Sequence, residues 1–114
     1  MIDITKNLEE EFFVVKISGE VDASSSIYLD EAIKEPIQNN YKKIIVDCSE
    51  LTYISSAGLG VFMSYIQEIK DQQIRLVIFG LNEKVNNVFQ ILGLHQLLPI
   101  AANKEDAKQL INGL

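Results

Sequence analysis

Residues 43–62 read KIIVDCSELTYISSAGLGVF, and this stretch decides the fold. It opens with a nearly continuous apolar run from Lys43 to Cys48, which is typical of a strand covered on both faces. Small and polar residues follow, and after Ser56 the apolar side chains recur at helical spacing. The stretch therefore predicts a buried strand that leads into an amphipathic helix.

The alternation of strands and helices continues on both sides of this stretch. Ile2 to Lys6 and Phe12 to Ser18 have the pattern of strands, and the polar segment between them has the length of a hairpin turn. The full order is β-β-α-β-α-β-α-(β)-α, which predicts parallel pairing through right-handed crossovers. We therefore predict an α/β fold: residues 1–114 form one domain with a mixed sheet of four to five strands, an N-terminal antiparallel hairpin and amphipathic helices packed on the sheet.

Three helix limits can be predicted in the first and third helices. Pro36 lies late in the first helical pattern and lacks a backbone donor, so we expect that helix to kink or end near Glu35. Asn82 has the pattern of an N-cap, and Gly93 that of the residue just beyond a helix end. The predicted inward-facing residues of the first and third helices are Leu29, Ala32, Ile33, Ile37, Val85, Val88, Phe89 and Leu92.

The remaining elements are shorter. Ile74 to Phe79 reads as a strand, and Leu97 to Ile100 as a short edge strand whose pairing Pro99 limits. Asn103 is expected to cap the last helix. The predicted inward-facing residues of that helix are Ala107, Leu110, Ile111 and Leu114.

Composition excludes several functional classes. The formal net charge of -6 disfavours binding to nucleic acid or to an anionic membrane, because like charges repel. Cys48 is the single cysteine, so no disulfide within the chain and no multi-cysteine metal site are expected, and we predict a buried thiol. No signal-peptide pattern or membrane-length apolar run is present, which predicts a cytoplasmic protein.

No catalytic constellation can be found. His95 is the single histidine, and the Gly-x-Ser-x-Gly motif of serine hydrolases is absent. Gly58-Leu59-Gly60 is not a dinucleotide fingerprint, because Met63 stands where the third glycine should be. The sequence therefore predicts a non-enzymatic protein without catalytic residues, metal or cofactor.

The strand-helix junction is the segment that stands out chemically. The first turn of a helix has unpaired backbone N–H groups and a partial positive charge, so Ser55 or Ser56 could cap it or carry a phosphate there. Gly58 and Gly60 each cost up to about 1 kcal/mol relative to alanine within a helix. They either open the backbone to a partner or its bound nucleotide, or allow close packing against the neighbouring strand.

The junction resembles the signature of STAS domains, the family of bacterial anti-sigma factor antagonists that also occurs as cytoplasmic domains of anion transporters. In that family a strand ending near Asp-Leu-Ser leads to a hydrophobic-Asp-Ser-(Ser/Thr/Ala)-Gly-Leu-Gly segment. The matching segments here are Asp47-Cys48-Ser49 and Ile54-Ser55-Ser56-Ala57-Gly58-Leu59-Gly60. Gly19-Glu20-Val21-Asp22 is similar to a second family motif, and the order of elements matches over essentially the whole chain.

This resemblance implies a cycle of partner binding. The unphosphorylated antagonist binds an anti-sigma factor, usually a serine kinase of the GHKL type, and so releases a sigma factor. The kinase phosphorylates the serine that corresponds to Ser56, and a phosphatase of the PP2C type restores the hydroxyl. Many antagonists carry Asp immediately before the acceptor where this chain has Ser55, which leaves Ser55 as a rival acceptor.

The resemblance also implies a partner-binding surface on a chain that is monomeric when free. Val61 and Tyr65 are placed with Gly58 on a side of the helix away from Leu59, Phe62, Met63 and Ile66, where they either contact the partner or pack under a neighbouring helix. The candidate partner-binding residues are Asp22, Ser55, Ser56, Ala57, Gly58, Leu59, Gly60, Val61 and Tyr65. The alternative function is a STAS scaffold or accessory subunit of a stress-sensing or transport complex, in which Ser56 is not phosphorylated.

Overall fold

Five strands form one mixed sheet in the computed structural model, which describes residues 2–113. Strands β1 (Ile2–Glu9) and β2 (Phe12–Val21) make an antiparallel hairpin. Strands β3 (Lys43–Ile54), β4 (Arg75–Phe79) and β5 (Ile100–Ala101) then add in chain order, each parallel to its neighbour. The predicted mixed α/β sheet with an N-terminal hairpin is confirmed.

Helices cover both faces of this sheet. The helices are α1 (Ser26–Gln38), α2 (Ser56–Asp71), α3 (Glu83–Ile91) and α4 (Lys104–Gly113), and a short 3₁₀ turn covers Leu94–Gln96. Helices α1, α2 and α3 pack on the face that carries Val46 and Ile78, whereas α4 packs on the face of Ile45 and Val77. Strand β3 is thus buried on both sides, which explains the continuous apolar run in its sequence.

Strand β3 is longer than predicted. It was expected to end at Cys48 but continues to Ile54, because the last residues of β2, from Ser18 to Val21, pair with Glu50 to Ile54. Two register shifts interrupt this pairing, which is a feature of β-bulges. The extension carries the chain from the centre of the sheet to the start of α2.

The hairpin is also more extended than its polar sequence indicates. Asn7 pairs with Val14 and Leu8 with Phe13, so β1 runs to Glu9 and the turn consists of Glu10 and Glu11. Because β1 is an edge strand, its polar side chains can stay in solvent while its backbone pairs with β2.

The predicted end of the first helix near Glu35 is wrong. Helix α1 contains Pro36 and runs to Gln38, and the N–H of Asn39 again donates to the carbonyl of Glu35 at 3.1 Å. Pro36 lies near the end of the helix and its ring is buried, so the missing donor interrupts the bonding pattern only locally.

The later elements agree with prediction at their caps and differ at some limits. The Asn82 side chain accepts from the N–H of Val85 and that of Asn103 from the N–H of Asp106, both at 2.8 Å, and Gly93 has a φ of 72° beyond α3. These three predictions are confirmed. The fourth strand begins at Arg75, one residue later than expected.

The last strand and two inward-facing positions were predicted wrongly. Residues Leu94–Gln96 form a helical turn, so β5 is confined to Ile100–Ala101. Leu92 and Leu110 are exposed, because they lie at the edges of the buried stripes formed by Val85 and Phe89 in α3 and by Ala107 and Ile111 in α4. Leu114, predicted to face inward, lies outside the described residues.

Candidate functional site

The junction between β3 and α2 is held by one backbone bond and one side-chain cap. The N–H of Ser55 donates to the carbonyl of Val21 at 2.8 Å, which ties the start of α2 to the end of β2. The Ser55 hydroxyl accepts from the N–H of Gly58 at 3.2 Å, so Ser55 is the N-cap of α2. The sequence left open which serine caps the helix, and the structure assigns the cap to Ser55.

Ser56 is the first residue of α2 and its side chain is exposed. Ala57 and Gly60 are exposed on the same end of the helix. A hydroxyl at this position is accessible to another protein, and a phosphate there would lie at the helix end that favours an anion. Ser55 differs, because it is half-buried and its oxygen already accepts a hydrogen bond.

The two glycines of α2 have different environments. A Cβ on Gly58 would lie 2.7 Å from Cγ1 of Ile54 and 2.8 Å from Cγ1 of Val21, so only glycine fits there without displacing its neighbours. A Cβ on Gly60 would have nothing within 4 Å. Close packing therefore accounts for Gly58, whereas the fold gives no reason for Gly60.

Helix α2 buries the side that carries Gly58 and Tyr65. Tyr65 is 8% exposed and Gly58 is buried, whereas Met63, placed by the sequence on the opposite side, is 51% exposed. Val61 is half-buried against the core. Of the two interpretations that the sequence left open, the structure shows packing against a neighbouring helix for Tyr65.

Helix α1 is that neighbour. The Tyr65 hydroxyl donates to Oδ1 of Asp30 at 2.8 Å, which links α2 to α1. Burial, together with the hydrogen bond to Asp30, raises the pKa of Tyr65 above its usual range. Leu59, a candidate partner-binding residue, and Phe62 are buried, and Phe62 meets the ring of Phe89 of α3 with centroids 6.1 Å apart. Leu59 and Tyr65 thus serve the core.

Asp22 carries a fixed negative charge at the same corner of the molecule. Its Oδ1 accepts from the Ser24 hydroxyl, the Ser25 N–H and the Ser25 hydroxyl, each at 2.9 Å. These bonds, that from Ser24 foremost, hold the pKa of Asp22 below its usual value. The carboxylate is therefore ionised, and the bond between Ser55 and Val21 places this turn beside the start of α2.

Three exposed apolar side chains that lie close in sequence to the two motifs were not predicted. Ile27 and Tyr28 follow the Asp22 turn at the start of α1 and are each 57% exposed, and Tyr53 precedes the junction and is 49% exposed. Their position next to the two sequence motifs is the signal that could have found them. We call Asp22, Ile27, Tyr28, Tyr53, Ser56, Ala57 and Gly60 the junction surface.

The other side chains of the described chain supply neither a metal site nor a reactive thiol. Within residues 2–113 no cluster of three or more His, Cys, Asp or Glu could hold a metal ion. Cys48 is buried as predicted, and burial raises the pKa of its thiol. No helix in this part of the chain combines the length and the apolar character needed to cross a membrane.

Comparison with known proteins places this geometry in a family. The STAS domain family model matches residues 3–107. An anti-sigma-B factor antagonist of Staphylococcus aureus (strain NCTC 8325 / PS 47) is 26% identical over 104 residues, which is 91% of this chain and 96% of that protein.

Solved structures share the fold. An anti-sigma factor antagonist of Mycobacterium paratuberculosis superposes with a TM-score of 0.89 at 18% identity, over 98% of this chain and 95% of that one. The Bacillus cell fate determinant SpoIIAA in its phosphorylated form gives a TM-score of 0.71 at 21% identity, over 96% of this chain and 99% of that one. Because the family model covers well over half of the sequence and the fold agrees, the chain belongs to the STAS domain family.

Proposed function

We propose that this chain is an anti-sigma factor antagonist whose binding to its partner is controlled by phosphorylation of Ser56. One observation carries the proposal: Ser56 is the exposed first residue of α2, next to a serine that already caps the helix. The relative in Staphylococcus aureus, named an anti-sigma-B factor antagonist, supports the antagonist role.

The partner we propose is an anti-sigma factor of the GHKL serine-kinase type in the cytoplasm. It binds the unphosphorylated chain and later transfers the γ-phosphoryl group of ATP to the Ser56 hydroxyl. The new O–P bond forms as the bond to the bridging oxygen of ADP breaks, ADP leaves, and the hydroxyl proton is lost. A phosphatase of the PP2C type then hydrolyses this ester and restores the hydroxyl. The chain itself binds and releases, and performs no catalysis.

Ser56 is favoured over Ser55 as the acceptor. The Ser55 oxygen is half-buried and is engaged with the N–H of Gly58, so its phosphorylation would remove the cap of α2. Ser56 has no such duty in the fold. Phosphorylation there leaves the junction intact and changes only the surface that a partner meets.

The junction surface suits such a partner. Ile27, Tyr28 and Tyr53 are exposed apolar side chains close in sequence to Asp22 and Ser56. Ala57 and Gly60 have no bulky side chain, so a partner can approach the backbone of α2 closely. Exposed apolar side chains would give a partner contact area, and the small residues at the start of α2 would give it access to the hydroxyl.

The size of the electrostatic effect is sufficient for a switch. Phosphorylation adds a charge of about -1.5 to -2 at neutral pH, next to the ionised Asp22. A clash of about 3 kcal/mol with a partner would lower affinity roughly a hundredfold. No change of fold is required, because the charge is added at an exposed position.

Three variants test the switch in binding assays with the purified kinase partner. Ser56→Ala should bind as wild type does, and Ser56→Asp should bind at least about tenfold more weakly because of charge at the junction. Ser64→Asp places the same charge at another exposed position of α2 and should bind normally. Equal binding by Ser56→Ala and Ser56→Asp would contradict the switch and favour a scaffold role.

Mapping the phosphorylation site shows whether Ser56 or Ser55 is the acceptor. After incubation with the kinase and ATP, mass spectrometry of wild type should show one phosphate on Ser56, and Ser56→Ala should show none. Phosphate on Ser55 in wild type would overturn the assignment while leaving the antagonist role in place.

A further inference from the structure

A cavity of about 520 Å³ lies at the carboxyl ends of β4 and β5. It is lined by Gly80 and Leu81 after β4, Asn86 and Gln90 of α3, His95 of the 3₁₀ turn, and Ala101 of β5. We call this cavity the β4–β5 crevice. Its volume falls in the range of about 300–1,000 Å³ that is usual for small-molecule sites.

The topology of the sheet explains why a crevice forms there. Strand β4 leads into α3, which packs on the face of Val46 and Ile78, whereas β5 leads into α4, which packs on the opposite face. The two connections therefore diverge at the carboxyl ends of two adjacent parallel strands. In open α/β sheets such a divergence leaves the crevice in which ligands bind.

One of the lining side chains has a polar atom without a partner. Nδ1 of His95 is buried and, among the residues that the structure describes, has no hydrogen-bond partner. A buried polar atom without a partner is unfavourable, so the imidazole would gain a hydrogen bond by turning Nδ1 towards a ligand in the crevice.

The rest of the lining defines the class of ligand. The amides of Asn86 and Gln90 each offer a donor and an acceptor, and none of the described lining residues is an Asp, Glu, Lys or Arg. Leu81, Ile100 and Ala101 add apolar surface. An uncharged, planar molecule with neighbouring donor and acceptor atoms on one edge would match both features, as the amides of Asn and Gln match the edge of adenine in nucleic acids.

We propose that the β4–β5 crevice binds a small uncharged heterocycle through the amides of Asn86 and Gln90 and the imidazole of His95. This site goes beyond the proposed function and involves none of the residues of the junction surface. Its failure would leave the Ser56 switch untouched.

Adenine is the probe, and indole is the control compound of similar shape with one donor and no acceptor edge. Amide shifts in ¹⁵N spectra of the whole chain should saturate with adenine at a dissociation constant of about 0.1–1 mM. The shifts should centre on Gly80, Asn86 and Ala101. Indole should bind at least about fivefold more weakly, since it lacks one of the hydrogen bonds.

Matched variants assign the binding to named side chains. Asn86→Ala should weaken adenine binding by about fivefold or more, and His95→Phe should do the same while its ¹⁵N spectrum remains that of a folded protein. Asn87→Ala, an exposed neighbour on α3 that does not line the crevice, should leave the constant within about twofold. Absence of saturable shifts, shifts centred elsewhere, or equal loss with Asn87→Ala would overturn the proposal.

Discussion

Gly58 and Gly60 lie two positions apart in α2, yet they differ in the space available for a side chain. Gly58 is enclosed by Ile54 and Val21, with no room for a Cβ, whereas Gly60 faces open space. Glycine within a helix is unfavourable relative to alanine, so a glycine that the fold does not need is a candidate for partner binding.

Alanine substitutions should therefore separate the two residues. Gly60→Ala should raise the free energy of unfolding by up to about 1 kcal/mol and weaken partner binding, because a methyl group is added to the junction surface. Gly58→Ala should lower the free energy of unfolding by about 1–3 kcal/mol, because its methyl group overpacks the contact with β2 and β3. Urea denaturation gives both free energies, and titration with the kinase partner gives the affinities.

One result for each glycine would contradict these expectations. A Gly60→Ala protein that is more stable and binds with unchanged affinity would remove Gly60 from the junction surface. A Gly58→Ala protein of unchanged stability would show that Ile54 and Val21 can move aside at no cost.

Helices α1 and α2 are joined by the bond between Tyr65 and Asp30. Tyr65→Phe removes this hydrogen bond but keeps the ring in place, and it should lower the free energy of unfolding by about 0.5–1.5 kcal/mol. Partner affinity should not change, because Tyr65 is buried. Tyr53→Phe is the matched control, since it removes a hydroxyl from an exposed ring and should leave stability unchanged.

Chemical denaturation and partner titration check both parts of this prediction. A large loss of affinity in Tyr65→Phe, with stability intact, would return Tyr65 to the partner-binding surface expected from the sequence.

Strand β3 shows how far local sequence could predict the fold. Its first half was predicted correctly, because a strand buried on both faces has a continuous apolar run. Its second half was not, since Leu51 and Ile54 are buried three residues apart and the register shifts against β2 remove the two-residue period of a strand. Pairing with a distant strand, which no local pattern reports, keeps these residues in the sheet.

In the candidate site too, the local sequence of α2 predicted some positions, whereas others depend on tertiary packing. The motif predicted Ser56 at the start of a helix, and the structure places it there. The burial of Tyr65 in place of Met63 depends on where α1 packs, which helical periodicity does not specify. Ile27 and Tyr28 are exposed although they are apolar, and helical periodicity, which marks only the buried stripe of α1, gives no reason for this exposure.

At the scale of the whole molecule, ion pairs link the end of β1 to α4. Glu9 accepts from Lys104 at 2.8 Å and from Lys108 at 3.3 Å. These ion pairs are partly exposed, so each contributes modestly to stability. The hydrogen bond from Lys104, with help from Lys108, lowers the pKa of Glu9 below its usual value.

The lowered pKa predicts a loss of stability in acid. The contribution of Glu9 is complete above its unfolded pKa of about 4.3 and is lost as pH falls through the lower folded pKa. Glu9→Gln should flatten the decline of the urea midpoint with falling pH below that value. Lys104→Gln should have a similar effect, and the double variant should add little. A decline as steep as that of wild type in Glu9→Gln would contradict this role.

The single thiol of Cys48 gives the folded molecule an intrinsic reporter of its own opening. It is 1% exposed and its pKa is raised by burial, so an alkylating reagent can modify it only while the sheet is transiently separated. The alkylation rate, followed by mass, therefore measures how often the interior opens. Because the added charge acts at an exposed helix end, Ser56→Asp and Ser56→Ala should be alkylated equally fast, and faster modification of Ser56→Asp would mean that the negative charge loosens the interior as well as repelling a partner.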